Sequence, residues 1–125
     1  MGLAFEDQYS CTLEASTYVG WNAAKMKYHG EVDLSPDTPE SVKLGDINTE
    51  VPILGGNQGL TKLTKLTESK SDLSMSEITT AGTVVAWTLF EITKNKAPKT
   101  ILIMSKSYEV MMAGPHNITT LYECE

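Results

Sequence analysis

The chain has 125 residues, 41% of them hydrophobic and 21% charged, with a formal net charge of −6. This is the composition of one folded domain able to bury its own core, and it excludes a disordered chain. All ten basic residues are lysine, so the forked donors that read phosphate and guanine are missing, and an acidic chain of this kind argues against nucleic acid and anionic membrane surfaces as partners.

No apolar run approaches the ~20 residues that cross a bilayer as a helix, so no transmembrane segment is expected. Residues 1–8 lack the basic and apolar stretches of a signal peptide, which fits a mature secreted form or a leaderless protein equally.

Residues 8–17 read as a first strand. Residues 18–34 alternate most clearly. Val19, Trp21 and Ala23 share one phase, while Ala24, Met26, Tyr28, Val32 and Leu34 take the other. Period two implies a strand buried on one face and wet on the other. The phase change at Ala23-Ala24 is what a bulge produces. His29-Gly30 reads either as a tight turn or as part of one long strand.

Residues 35–41 carry two prolines and read as a loop. Residues 42–44 and 51–54 are short strand candidates, and the glycines at 55, 56 and 59 mark a turn. Leu60, Leu63 and Leu66 recur three apart, which predicts one short helix or 3₁₀ stretch near 60–67. Ser74-Met75-Ser76-Glu77 matches a capping box, but only Ile78 follows it, so a strand is an equal reading.

Residues 83–93 are apolar in both phases, with Val85, Trp87 and Leu89 in one and Val84, Ala86, Phe90 and Ile92 in the other. That pattern predicts a central strand covered on both sides. Residues 94–99 read as a polar turn holding Pro98. An apolar run at 100–105 leads to Tyr108, Val110 and Met112, then to a turn at Gly114-Pro115 and a last strand with Ile118, Tyr122 and Cys124. Short strands separated by turns predict an all-β fold. We expect a single domain over residues 1–125, an antiparallel β-sandwich or flattened barrel.

Cys11 and Cys124 sit near opposite ends. If the first and last strands are neighbours, a disulfide between them closes most of the chain into one loop and adds about 4 to 5 kcal/mol in the chain-entropy model. The other reading is two buried thiols acting as small hydrophobes.

The standard catalytic and nucleotide-binding motifs are absent, including Gly-x-Ser-x-Gly, His-Glu-x-x-His, Cys-x-x-Cys and the phosphate-binding glycine loops. Only His29 and His116 supply imidazole. A Cys124–His116 nucleophilic pair is conceivable, but the penultimate residue is a poor place for a positioned catalytic group. No enzyme activity and no cofactor are expected. Asp33, Asp37 and Glu40 put three carboxylates on one loop, but their spacing fits no EF-hand, so we read them as solvated and expect no metal. Asn117-Ile118-Thr119 matches the glycosylation acceptor pattern, which has meaning only in a secreted eukaryotic protein.

Exposed aromatics beside amides and carboxylates equip a sugar-binding face. Trp21 precedes Asn22 and has Tyr18 and Tyr28 on the same segment, although Trp21 and Trp87 also suit a core. The candidate ligand residues are Tyr18, Trp21 and Asn22 on that strand, with Asp33, Asp37, Glu40 and Asn57 on loops. Met111 and Met112, pointing to opposite faces, suit a sheet buried on one side with a partner on the other. The expected function is a non-enzymatic recognition module for carbohydrate or protein. Two alternatives stand beside it. One is a self-associating subunit of a larger assembly such as a virion, tail or filament, and the other is a β-barrel holding a small apolar ligand.

Overall fold

A computed structural model describes residues 5–22, 25–32, 39–56, 59–79, 82–110 and 114–125. It contains ten strands: β1 (Tyr9–Asn22), β2 (Lys27–Val32), β3 (Ser41–Gly45), β4 (Ile53–Gly56), β5 (Gly59–Lys62), β6 (Thr64–Glu68), β7 (Asp72–Ile78), β8 (Val84–Lys94), β9 (Ala97–Val110) and β10 (Gly114–Cys124). They form one antiparallel sheet in the order β5-β4-β3-β1-β10-β9-β8-β7-β6, with β2 added to β1. The all-β expectation holds, and the form is a nearly closed barrel. Among the described residues there is no helix, and so none long and apolar enough to cross a membrane.

The sheet curls because its two path ends are consecutive in sequence. Only Leu63 separates β5, which pairs with β4, from β6, which pairs with β7. Its backbone N–H donates to the Pro52 carbonyl at 2.8 Å, and its side chain is fully buried. The helix expected near 60–67 is therefore a correction. The three-residue leucine spacing spans two strands that change partners, with Leu63 turned into the core and Leu60 and Leu66 left in solvent. The seam is not fully zipped. A cleft of about 290 Å³ remains there, with Leu54 and Thr61 on one side and Glu77 and Trp87 on the other.

Alternate residues of β3, β7, β8, β9 and β10, with Tyr9 and Cys11 of β1 and Leu54 of β4, fill the interior. Val42 and Leu44, Leu73 and Met75, Val85, Trp87 and Leu89, Leu102 and Met104, and Tyr122 form one core. Tyr122 donates from its hydroxyl to the Pro39 carbonyl at 3.0 Å, and burial pushes its pKa up to about 12. Trp87 Nε1–H donates to a Glu77 carboxylate oxygen at 2.9 Å. The buried hydroxyls of Ser16 and Thr120 face each other across β1 and β10 at 3.2 Å. These bonds satisfy polar groups that burial would otherwise penalise.

The first and last strands are neighbours. Cys11 lies directly opposite Cys124, and the two form a disulfide across 113 residues. Ser10 and Glu125 exchange both backbone hydrogen bonds at 2.9 Å, so the adjacent cysteines occupy a non-hydrogen-bonded pair, where Cα atoms come closest, here 4.0 Å.

Expectations for three segments are corrected by where the chain reverses or faces. Ala23 and Ala24, where a bulge is expected, lie outside the described residues, but β1 and β2 on either side pair as a hairpin up to Asn22 and Lys27, with Met26 at φ 52° and Gly30 inside β2. The β8–β9 turn is Asn95-Lys96, both with positive φ, and Pro98 already lies in β9. β8 is covered on one face only, because Val84 and Ile92 are exposed at 57% and 39% while Val85, Trp87 and Leu89 are buried.

Candidate functional site

β1 holds the feature that builds the site. Tyr9, Cys11 and Leu13 face the core, at odd positions. A bulge at Glu14 then lets Leu13 pair with Tyr122 but Ala15 with Leu121. The extra residue reverses the phase. Ser16, Tyr18 and Gly20 now point inward, and Thr17, Val19 and Trp21 point out.

Beyond the bulge the strands continue past the barrel wall. β3 pairs only with residues 9–12 of β1, and β8 reaches only Lys106 of β9. The remainder forms a four-stranded arm in the order β2-β1-β10-β9, with residues 17–22, 27–32, 107–110 and 114–118 paired in it.

The inner face of the arm is an aromatic stack. His116 lies between Tyr18, at 5.3 Å between ring centroids, and Tyr108, at 5.7 Å. Its ring crosses over Gly20, where a Cβ would sit 2.7 Å from His116 Cδ2, so only glycine fits. His116 Nδ1 is buried and makes no hydrogen bond among the described residues. The imidazole therefore serves as a packed ring, and Cys124, being oxidised, has no thiol to pair with it.

The outer face carries an open trough of about 810 Å³. Gly20, Tyr108 and His116 of the inner row also border it, and the outward residues of the face fall into rows set by register. The end row holds Tyr28 and Trp21, with Pro115 beside them. The next row is Gly30, Val19, Asn117 and Ser107. The row beneath it has Thr17, Thr119 and Ser105. Trp21 and Tyr28 meet edge to face at 5.1 Å and 64°. Tyr28 is 83% exposed and Val19 51%, and Met26 in the adjoining turn is 73% exposed.

The polar members of these rows are tied together. Asn117 Nδ2 donates to Ser107 Oγ at 2.8 Å and to Ser105 Oγ at 3.2 Å, while Thr119 Oγ1 donates to Asn117 Oδ1 at 2.8 Å. Three described groups on the barrel have displaced titration. Besides Tyr122 they are Lys94, raised by its hydrogen bond to Glu123, and Glu123, lowered by the same bond. Among the described residues no group of three metal-ligating side chains occurs.

Of the residues singled out from the sequence, the structure brings Tyr18 and Trp21 to the arm on opposite faces. Asn22 ends β1 beside Trp21. Glu40 is exposed next to β3, away from the trough, and its carbonyl accepts the Leu13 N–H at 2.8 Å. Asp33, Asp37 and Asn57 lie outside the described residues, as do Met111 and Met112. Ser107, Asn117, Gly30 and Pro115 join the trough without having been read as ligand residues. Only the glycosylation pattern had drawn attention to Asn117, and no local signal places it beside Trp21, because that neighbourhood comes from β1–β10 register.

Comparisons of the chain with protein-family models, with curated proteins and with solved structures find no match.

Proposed function

We propose that the chain is a non-enzymatic recognition module that engages carbohydrate or protein through the outer face of its arm. The observation that carries this reading is that one group of exposed apolar residues, among several exposed apolar positions on the molecule, borders a concave surface. Val19, Met26 and Tyr28 cluster around one trough that also holds Trp21, on β2 and on the end of β1 that extends past the barrel wall. Apolar and aromatic groups gathered in one concave surface favour a binding role over chance exposure. The barrel interior offers less room for a ligand, because Tyr122, Trp87, Leu89 and Leu102 fill it.

The test compares Val19→Glu, in the trough floor, with Ile78→Glu, also exposed but on β7 and away from the trough. Wild type is screened against immobilised glycans and a displayed peptide library. Ligands enriched by wild type should be lost by Val19→Glu and kept by Ile78→Glu. Retention of every ligand by Val19→Glu would overturn the reading.

Assembly is a second reading with its own support. β2 pairs only with β1, and residues 107–110 of β9 have no partner strand on their outer side among the described residues. Such open edges are templates for pairing with another chain. Size-exclusion chromatography with light scattering separates the two readings, since a strict monomer at micromolar concentration contradicts self-assembly.

A further inference from the structure

We infer that the trough is a saccharide site, in which a pyranose lays its apolar C–H face on Trp21 and turns its hydroxyls toward Ser107 and Asn117. This rests on the outer face of the arm being the recognition surface, and it adds the ligand's chemistry.

A pyranose has a flat apolar side and a rim of hydroxyls that both donate and accept. A site for it needs an aromatic plate and, about one ring away, polar groups fixed in direction. The rows supply that spacing. Trp21 stands two residues along the strand from the row of Asn117 and Ser107, a separation of about 7 Å. Val19 and Gly30 continue the row of Asn117 and Ser107 as a low floor beside Trp21 and Tyr28. A Cβ on Gly30 would approach Val19 Cγ1 to 3.2 Å, so the bare backbone keeps that floor shallow. Tyr28, in an edge-to-face pair with Trp21, closes the aromatic corner.

The hydrogen-bond directions favour a polyhydroxylated ligand over an apolar one. Both amide hydrogens of Asn117 are taken by Ser105 and Ser107. Each serine oxygen that accepts from the amide keeps its own proton to donate outward. Asn117 Oδ1 accepts from Thr119 and retains a second lone pair. The network therefore offers donors and acceptors already held in place, which lowers the ordering cost of binding. A lipid or purely apolar peptide would leave these groups without partners, at a desolvation penalty. An added partner strand would use the open edges and not this face.

The experiment is a titration of the isotope-labelled full chain with soluble gluco-, galacto-, manno- and N-acetylhexosamine oligosaccharides at millimolar concentration, followed by amide NMR. The expected result is saturable shifts at Val19, Trp21, Tyr28, Ser107 and Asn117. Trp21→Ala should weaken affinity about tenfold or more, as truncation of a central aromatic anchor does. Ser107→Ala should weaken it less, and the spectra themselves show whether each variant is folded. If no saccharide moves the arm but its resonances shift with protein concentration or with an extended peptide, the saccharide assignment is overturned and the recognition surface stands. If nothing moves the arm, or saccharide shifts fall only on the barrel, both are overturned.

Discussion

Removing the Cys11–Cys124 disulfide by the double substitution Cys11→Ala/Cys124→Ala should cost about 5 kcal/mol. The bond spans 113 residues. For a loop of that length the chain-entropy relation assigns the cross-link an unfolded-state entropy loss of about 16 cal/mol/K, or about 4.8 kcal/mol at 25 °C. Folded domains have only about 5–15 kcal/mol in total, so the variant should sit near the edge of folding. With an unfolding entropy of about 260 cal/mol/K for a chain this long, the melting temperature should fall by about 18 °C. The sheet should remain in the folded fraction, because β1 and β10 stay paired from Thr12 to Gly20 without the bond. Urea unfolding of oxidised wild type and of the double variant measures the difference directly. A loss below about 1.5 kcal/mol would refute the reasoning, since the cross-link would then not restrain the unfolded chain as its span requires.

Leu63→Ala should destabilise by about 2–5 kcal/mol, while Leu60→Ala and Leu66→Ala should each stay within about 0.5 kcal/mol, because only Leu63 is buried; equal losses at all three would return the segment to a helical reading. Gly20→Ala should cost about 1–3 kcal/mol in urea unfolding, since its Cβ meets a His116 ring held between two tyrosines, and an unchanged midpoint would contradict that stack. Tyr122 keeps its proton to about pH 12 in the folded state and, when unfolded, loses it near its ordinary value of 10. Its contribution is therefore complete below about pH 10 and is lost as pH rises toward 12, at about 1.4 kcal/mol per pH unit. Tyr122→Phe should lower stability by about 1 kcal/mol at neutral pH, through the lost bond to Pro39, and flatten the decline above pH 10; an unaltered alkaline slope would argue against this assignment.

Much of the barrel was legible because its strands alternate cleanly. Val85, Trp87 and Leu89 share a phase in sequence and a core in the structure, and the last third of the chain supplies three adjacent strands. What stayed hidden was marked by ordinary residues. The bulge at Glu14 carries no glycine or proline, yet it decides that Trp21 faces out. The β1–β2 turn places Met26, not glycine or asparagine, at positive φ. The leucine repeat at 60–66 carries the period of a tight helix, but a change of strand partners at Leu63 produces the same spacing. β8 reads as apolar on both faces because Val84, Ala86 and Ile92 lie on its outer side, where the barrel leaves them uncovered or half-covered. The candidate site was half legible. Trp21 and Tyr28 announce an aromatic face, whereas Ser107 and Asn117 reach it only through the pairing of β1, β10 and β9.

Saccharide recognition through the outer face of the arm is tested most directly by fluorine NMR of fluorotryptophan-labelled protein, because one of the two tryptophans lies in the trough and the other in the barrel core. Titration with the saccharide series should move the Trp21 resonance saturably and leave Trp87 in place. A Trp21 resonance that stays still throughout, or a shift confined to Trp87, would contradict it.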